Sequence, residues 1–414
     1  MSTECLTIAG TLLVPDGPAS VRLTRGHVRV AGATIESVTL ADDLPDADFG
    51  GNGWFVCPGF VDAHLHVPQF DSIGAFGLEL LDWLDRVIFP AETRWADADY
   101  AGAMGERVAR ELLSFGTTAV GAYGTVHAEG TAAAMRALAS HGIAGVMGQS
   151  LMDRNAPHEL TRPANELLEE AASAKRVGRL APAITPRFAV SCTDELLKGA
   201  GMIASRTGQA VQTHIAETER ECELIAELFD DLPYAEVYGR AGLLGERTIL
   251  AHGIRLSGAE RALIAQHRSV VAHCPTANLF LRAGEMDRAG HARAGVRLAL
   301  GSDVAGGPDR SMVRVARAML ETAIRMGAEP PPAAAAWWQI TGGNADALAR
   351  PELARLAAGK DADLVVVRPT IRWHDAPDPL ARLLWGWDDR WIERVIVAGK
   401  PIEPLAGTPA AHRT

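Results

Sequence analysis

Two histidines separated by one residue close the apolar run Pro58-Gly59-Phe60-Val61-Asp62-Ala63-His64-Leu65-His66. In an extended strand, residues two apart point to the same side, so both imidazoles can be aimed at one metal ion. Three further groups extend the pattern: His214 in Val211-Gln212-Thr213-His214-Ile215-Ala216-Glu217, His252 in Ile249-Leu250-Ala251-His252-Gly253, and Asp303 in Leu298-Ala299-Leu300-Gly301-Ser302-Asp303. Each stands at or near the end of a short apolar run bounded by polar or glycine residues, as at the C-terminal tip of a buried strand.

His64, His66, His214 and Asp303 would supply three imidazoles and one carboxylate, a set suited to one zinc ion per chain with a position left for water. Zinc lowers the pKa of such a water from about 15.7 toward about 7. Asp303 can also accept a proton from that water. Glu217, three residues beyond His214, is the candidate for carrying the proton to the substrate, and His252 for orienting the water or stabilising developing charge. A second metal would need a bridging ligand, often a modified lysine, near the end of the fourth strand. Arg187 stands there, and a guanidinium cannot bridge cations. Arg187 is better used as a fixed donor to a substrate carbonyl or anion, with Phe188 as an apolar wall. Gln69, three residues after His66, offers a donor and an acceptor suited to the edge of a nitrogen heterocycle.

These tips need a scaffold. Strand-like runs at 60–67, 117–123, 142–151, 183–188, 210–217, 248–253, 269–275 and 296–303 alternate with helical segments. Eight such units predict an α/β fold, a (β/α)8 barrel with its site at the C-terminal ends of the strands. The barrel is assigned to 57–355. The two chain ends, 1–56 and 356–414, are rich in strand-like runs and tight turns, and are expected to form one small β-sandwich domain. A helix over 77–89, with Leu81, Leu84, Val87 and Ile88 on one face and Pro90 as its stop, could cover the barrel mouth and present Trp83 or Phe76.

The 414 residues carry a formal net charge of −11, which argues against nucleic acid or an anionic membrane as the main partner and favours a small molecule. The five cysteines are odd in number and include no CxxC pair, so reduced core thiols in the cytoplasm are expected. No basic segment precedes an apolar N-terminal stretch. Among the other histidines, His273 is equally suited to supporting the site and to a structural role, His127 reads as loop, and His27, His141, His158, His267, His291, His374 and His412 receive no role. Asp388-Asp389-Arg390 reads as a solvated or salt-bridged turn.

The chain resembles the guanine deaminases of the amidohydrolase superfamily over nearly its whole length. The first-strand motif resembles the superfamily at large. More specific are Pro68-Gln69-Phe70, Leu80-Leu81-Asp82-Trp83-Leu84, Phe89-Pro90-Ala91-Glu92, Thr185-Pro186-Arg187-Phe188, His273-Cys274-Pro275, Gly301-Ser302-Asp303-Val304-Ala305-Gly306-Gly307 and Asp388-Asp389-Arg390. The resemblance implies zinc-dependent hydrolysis of guanine at C2 to xanthine and ammonia. It implies zinc on His64, His66, His214 and Asp303, proton transfer by Glu217, His252 and Asp303, and the purine held by Gln69, Arg187 and Phe188, with Arg187 near the exocyclic oxygen. It also implies a homodimer. Two departures, a short segment between Pro379 and Trp387 and Phe70 in place of a frequent tyrosine, are expected to alter the pocket lid. The alternatives are a deaminase or hydrolase of a pterin or triazine, and a barrel that serves as a non-catalytic assembly protein.

Overall fold

The computed structural model describes residues 5–17 and 21–402. Eight parallel strands form the barrel: Phe60–His66, Thr117–Tyr123, Ala144–Gly148, Leu180–Pro186, Ala210–Ile215, Thr248–His252, Val270–His273 and Arg297–Leu300. Each expected run contains most of one of these strands. The third run divides after Gly148, and its remainder, Ser150–Leu151, pairs with Thr185 and Pro186 of the fourth strand. The first and last strands meet at their tips, where His66 N–H donates to Val304 O and Asp303 N–H to His64 O, both at 2.9 Å. Those two bonds draw the first and eighth ends together and set Asp303 beside the histidine pair.

The chain ends meet in one seven-stranded sheet made of Cys5–Pro15, Val21–Ala31, Thr34–Leu40, Phe49–Pro58, Leu364–Val367, Ile392–Val397 and Lys400–Ile402. Period-two alternation buries both of its faces. Val365 and Val367 join Phe55, Trp337 and Trp387 on one side, whereas Leu364 and Val366 join Val28, Val30 and Ile396 on the other. Arg179, just before the fourth barrel strand, donates to Asp361 and Asp363 beside this sheet. His412 and residues 403–414 of the expected composite domain lie outside the described residues, as do 1–4 and 18–20.

Pro90 does not stop the helix. Helical structure continues from Leu80–Trp83 through a wide π turn at Leu84–Ile88 into Phe89–Thr93. Proline lacks an N–H and crowds the carbonyl four residues back. Here Phe89 N–H bonds to Leu84 O, five residues back, and the widened turn gives the ring room. Carrying the helix past Pro90 places Glu92 inside the protein, fully buried.

Neither sequence departure reaches the pocket. Phe70 is buried in the core, and Pro379–Gly386 packs by Leu380, Leu383 and Leu384 against the Trp337 cluster, where Trp337 Nε1 donates to Leu380 O at 3.0 Å. Among the described residues, no helix is long and apolar enough to cross a membrane.

Candidate active site

The first barrel strand aims His64 and His66 inward, the fifth brings His214, and the eighth is followed by Asp303. One ligand atom from each of the four lies within 4.8 Å of those of the others. His66 Nε2 and His214 Nε2 are 3.0 Å apart, and Asp303 Oδ1 is 3.2 Å from His64 Nε2 and 3.5 Å from His66 Nε2. His214 Nδ1–H donates to Arg187 O at 2.6 Å. That bond leaves its Nε2 as a lone pair directed at the cluster. Neither ring nitrogen of His64 makes a hydrogen bond. Burial lowers the pKa of all three imidazoles well below the usual histidine value, so they are neutral, the form in which imidazole binds a cation.

The cluster is held rigidly from behind. Asp62, fully enclosed, accepts from His64 N–H at 3.2 Å and Ser302 N–H at 3.0 Å, and also from the Ser302 hydroxyl. Burial raises its pKa to about 7, against the pull of these donors. The Tyr123 ring packs on all three imidazoles, with centroids 4.6–5.0 Å away. Asp303 and His252 both have positive φ, +50° and +74°, an uncommon conformation for residues other than glycine.

Gly301 is required for a different reason: a Cβ there would stand 2.6 Å from His64 Cβ. Gly301→Ala is therefore expected to destabilise the protein by roughly 1–3 kcal/mol through overpacking, and to loosen the histidine pair. Thermal unfolding and metal analysis together test this; unchanged values for both would contradict the packing argument.

A second group adjoins the first. His252 Nε2 is 3.4 Å from Glu217 Oε2 and 3.8 Å from Asp303 Oδ2, and its Nδ1 donates to Asn278 Oδ1 at 2.9 Å. Glu217 is buried and its Oε1 has no partner. Burial, reinforced by the negative charges of Asp303 and Glu221, pushes its carboxyl well above the usual range and favours the protonated form. Burial likewise raises Asp303 to about 6, with His252 and Arg187 acting in the opposite sense. A cation on the cluster would reverse that shift.

Gln69, Arg187 and Phe188 line the same pocket as His66, His214, Glu217, His252 and Asp303. Trp83 lines it too, whereas Phe76 is 65% exposed and stacks edge-on against Phe280. The cavity has room for little more than solvent, about 30 Å³, so a bicyclic ring needs the covering side chains to move. Gln69 is less free than its sequence position suggests. Its Nε2 donates to Glu92 Oε1 at 3.1 Å and its Oε1 accepts from Ala305 N–H at 3.3 Å.

Sequence reasoning assigned no role to Glu92, Asn278, Tyr123 or Asp62. Glu92 and Asp62 stand inside quoted motifs, which was the available signal. His273 is buried with neither ring nitrogen hydrogen-bonded, and does not line the pocket. Cys274 approaches His64 and His252 closely enough to form a second potential metal-binding group with them. Asp388 pairs with Arg390, and Asp389 with Arg314 and Ser311, so that run is a salt-bridged turn.

Residues 55–402 match the model of the amidohydrolase family. The chain belongs to that family. This amidohydrolase is 31% identical over 388 residues to the guanine deaminase of Rattus norvegicus, covering 86% of this chain and 84% of that one. The solved guanine deaminase of C. acetobutylicum, which has guanine bound in its active site, is 26% identical and superposes with a TM-score of 0.88 over 97% of this chain and all of the other. A solved adenosine deaminase from Xanthomonas campestris with bound zinc is 25% identical, with a TM-score of 0.82 over 96% of this chain and 92% of that one. The amidohydrolase is thus an enzyme of the guanine deaminase branch, and the resemblance read from its motifs is borne out.

Proposed function

We propose that this amidohydrolase hydrolyses guanine at C2, giving xanthine and ammonia, with one zinc ion per chain. The observation that carries the reading is a single pocket where His66, His214 and Asp303, clustered with the buried His64, meet a polar wall of Arg187 and Gln69, in a chain similar over most of its length to guanine deaminases.

The donor set fits a divalent cation. His64 Nε2 is buried without a hydrogen-bond partner, and the His214 lone pair faces a second imidazole nitrogen. Nitrogen and carboxylate ligands in this number suit zinc. His64, His66, His214 and Asp303 would hold the ion, which when bound supplies an acidified water.

The chain's own groups then divide the proton work. Asp303 takes a proton from the attacking water. Glu217, carrying a proton in its buried site, gives it to the ring nitrogen beside C2 and becomes able to receive the next. His252, with Nδ1–H committed to Asn278, turns its Nε2 toward both carboxylates and orients the nucleophile between them. Arg187 donates toward the exocyclic oxygen, Gln69 meets the ring edge, and Phe188 packs on the ring plane. With the hydroxyl added at C2, the proton held by Asp303 passes to the amino group, the C–N bond breaks and ammonia leaves, while the C2 hydroxyl gives its proton to Glu217 as the carbonyl of xanthine forms.

On this reading 57–355 is the catalytic domain, 1–56 with 356–414 is a supporting β domain, and the enzyme works as a cytoplasmic homodimer. Ammonia release from guanine, a pterin, a triazine and adenine, measured side by side with zinc-loaded protein, tests the substrate. Turnover of guanine far above the others is expected. Turnover of another ring and not guanine would overturn the substrate and retain the metal chemistry.

A further inference from the structure

Glu92 is fully enclosed beside the pocket, and its carboxylate joins two of the residues assigned to the purine. Both oxygens accept from Arg187 Nη1, each at 2.7 Å, and Oε1 also accepts from Gln69 Nε2 at 3.1 Å. Glu92 is 0% and Arg187 3% exposed. A buried carboxylate accepting only from these two side chains fixes them relative to each other.

The consequence lies in which atoms remain available. With Nη1 committed, Arg187 keeps the N–H donors on Nε and Nη2, and no other acceptor for them stands among the described residues. Two such donors match an edge with two acceptors, as guanine presents at O6 and N7; adenine has an amino donor in place of O6. Gln69 is fixed as well. An acceptor-only carboxylate faces its nitrogen and the Ala305 N–H faces its oxygen, so the amide cannot flip without losing both bonds.

We propose that Glu92 is a specificity-determining positioning residue: it locks Arg187 and Gln69 into the orientation that selects a purine with an oxygen at C6. It makes this selection through Arg187 and Gln69, without touching the reacting atoms. The inference rests on the guanine reading above.

The test is steady-state kinetics on the zinc-loaded full chain, comparing wild type with Glu92→Gln, Glu92→Asp, Arg187→Gln and the Glu92→Gln/Arg187→Gln pair. Glu92→Gln should raise KM for guanine by about 10- to 100-fold, the range for loss of a charge-assisted contact, with kcat changed by less than about threefold. Metal content should stay at the wild-type value. The double variant should be no worse than Arg187→Gln alone, since Glu92 acts largely through that residue. Glu92→Asp keeps the buried cation compensated but, one methylene shorter, cannot hold both partners. It should also raise KM, and it supplies the reading should Glu92→Gln fail to fold. A wild-type KM in either variant, fully additive effects in the pair, or loss of kcat together with metal would overturn the inference. Absence of guanine turnover by the wild type would instead overturn the functional reading on which the inference rests.

Discussion

Glu217→Gln is expected to abolish ammonia release while the metal content stays at the wild-type value. Glutamine preserves the shape of the side chain and removes its ability to cycle a proton. Glu217 is buried, with Oε1 unpartnered and Oε2 3.4 Å from His252 Nε2, and it is not one of the four clustered ligand residues. The metal should therefore remain. Positioned acid–base groups contribute roughly 10²- to 10⁴-fold, and this one serves both arrival of the nucleophile and departure of the amino group. A fall of about 10³-fold or more in kcat, equivalent to roughly 4 kcal/mol of barrier, is the expected magnitude. Substantial remaining turnover would remove Glu217 from the mechanism; concurrent loss of metal would make it a supporting residue for the cluster.

The second large effect concerns the cation. Exhaustive dialysis against a chelator should reduce guanine turnover by at least about 10³-fold, and one equivalent of zinc should restore it. The same treatment should lower thermal stability. Without an ion, both buried ring nitrogens of His64 lack a hydrogen bond, and the Nε2 atoms of His66 and His214 face each other at 3.0 Å. A ligand at about a thousand times its dissociation constant stabilises the native state by about 4 kcal/mol, so the melting shift should be large. Asp303→Ala should reproduce both losses without a chelator. Full activity in protein shown by elemental analysis to be metal-free would contradict the role of the cluster.

The barrel and the clustering of His64, His66, His214 and Asp303 were legible because the information is local. Each strand is a short apolar run, and each of the four clustered residues sits at or just beyond such a run's end, so residue type and position within the run point to the cluster. His64 and His66 additionally share a face by strand geometry. What stayed hidden depends on distant contacts. Glu92 meets Arg187 across 95 positions of sequence, and Asp62 meets Ser302 across 240. No periodicity links such pairs. Pro90 misled in the opposite direction, because a proline inside a helical pattern ordinarily ends it, and the π turn that accommodates it has no simple sequence signature. The same turn brings Glu92 to Arg187 and Gln69, so one misread boundary concealed the residue that bonds both of them. Gln69 was recognised as polar and near the site, but which of its atoms remain free is set by Glu92 and Ala305.

Hydrolysis of guanine at C2 must place an oxygen from water on the product, so isotope-labelled water reads it out. Zinc-loaded protein is incubated with guanine in ¹⁸O-water, and the purine product is weighed by mass spectrometry while ammonia is counted. The expected product is xanthine carrying one ¹⁸O atom from solvent, with one ammonia released per xanthine formed. Guanine recovered unchanged, or a product without solvent oxygen, would contradict it.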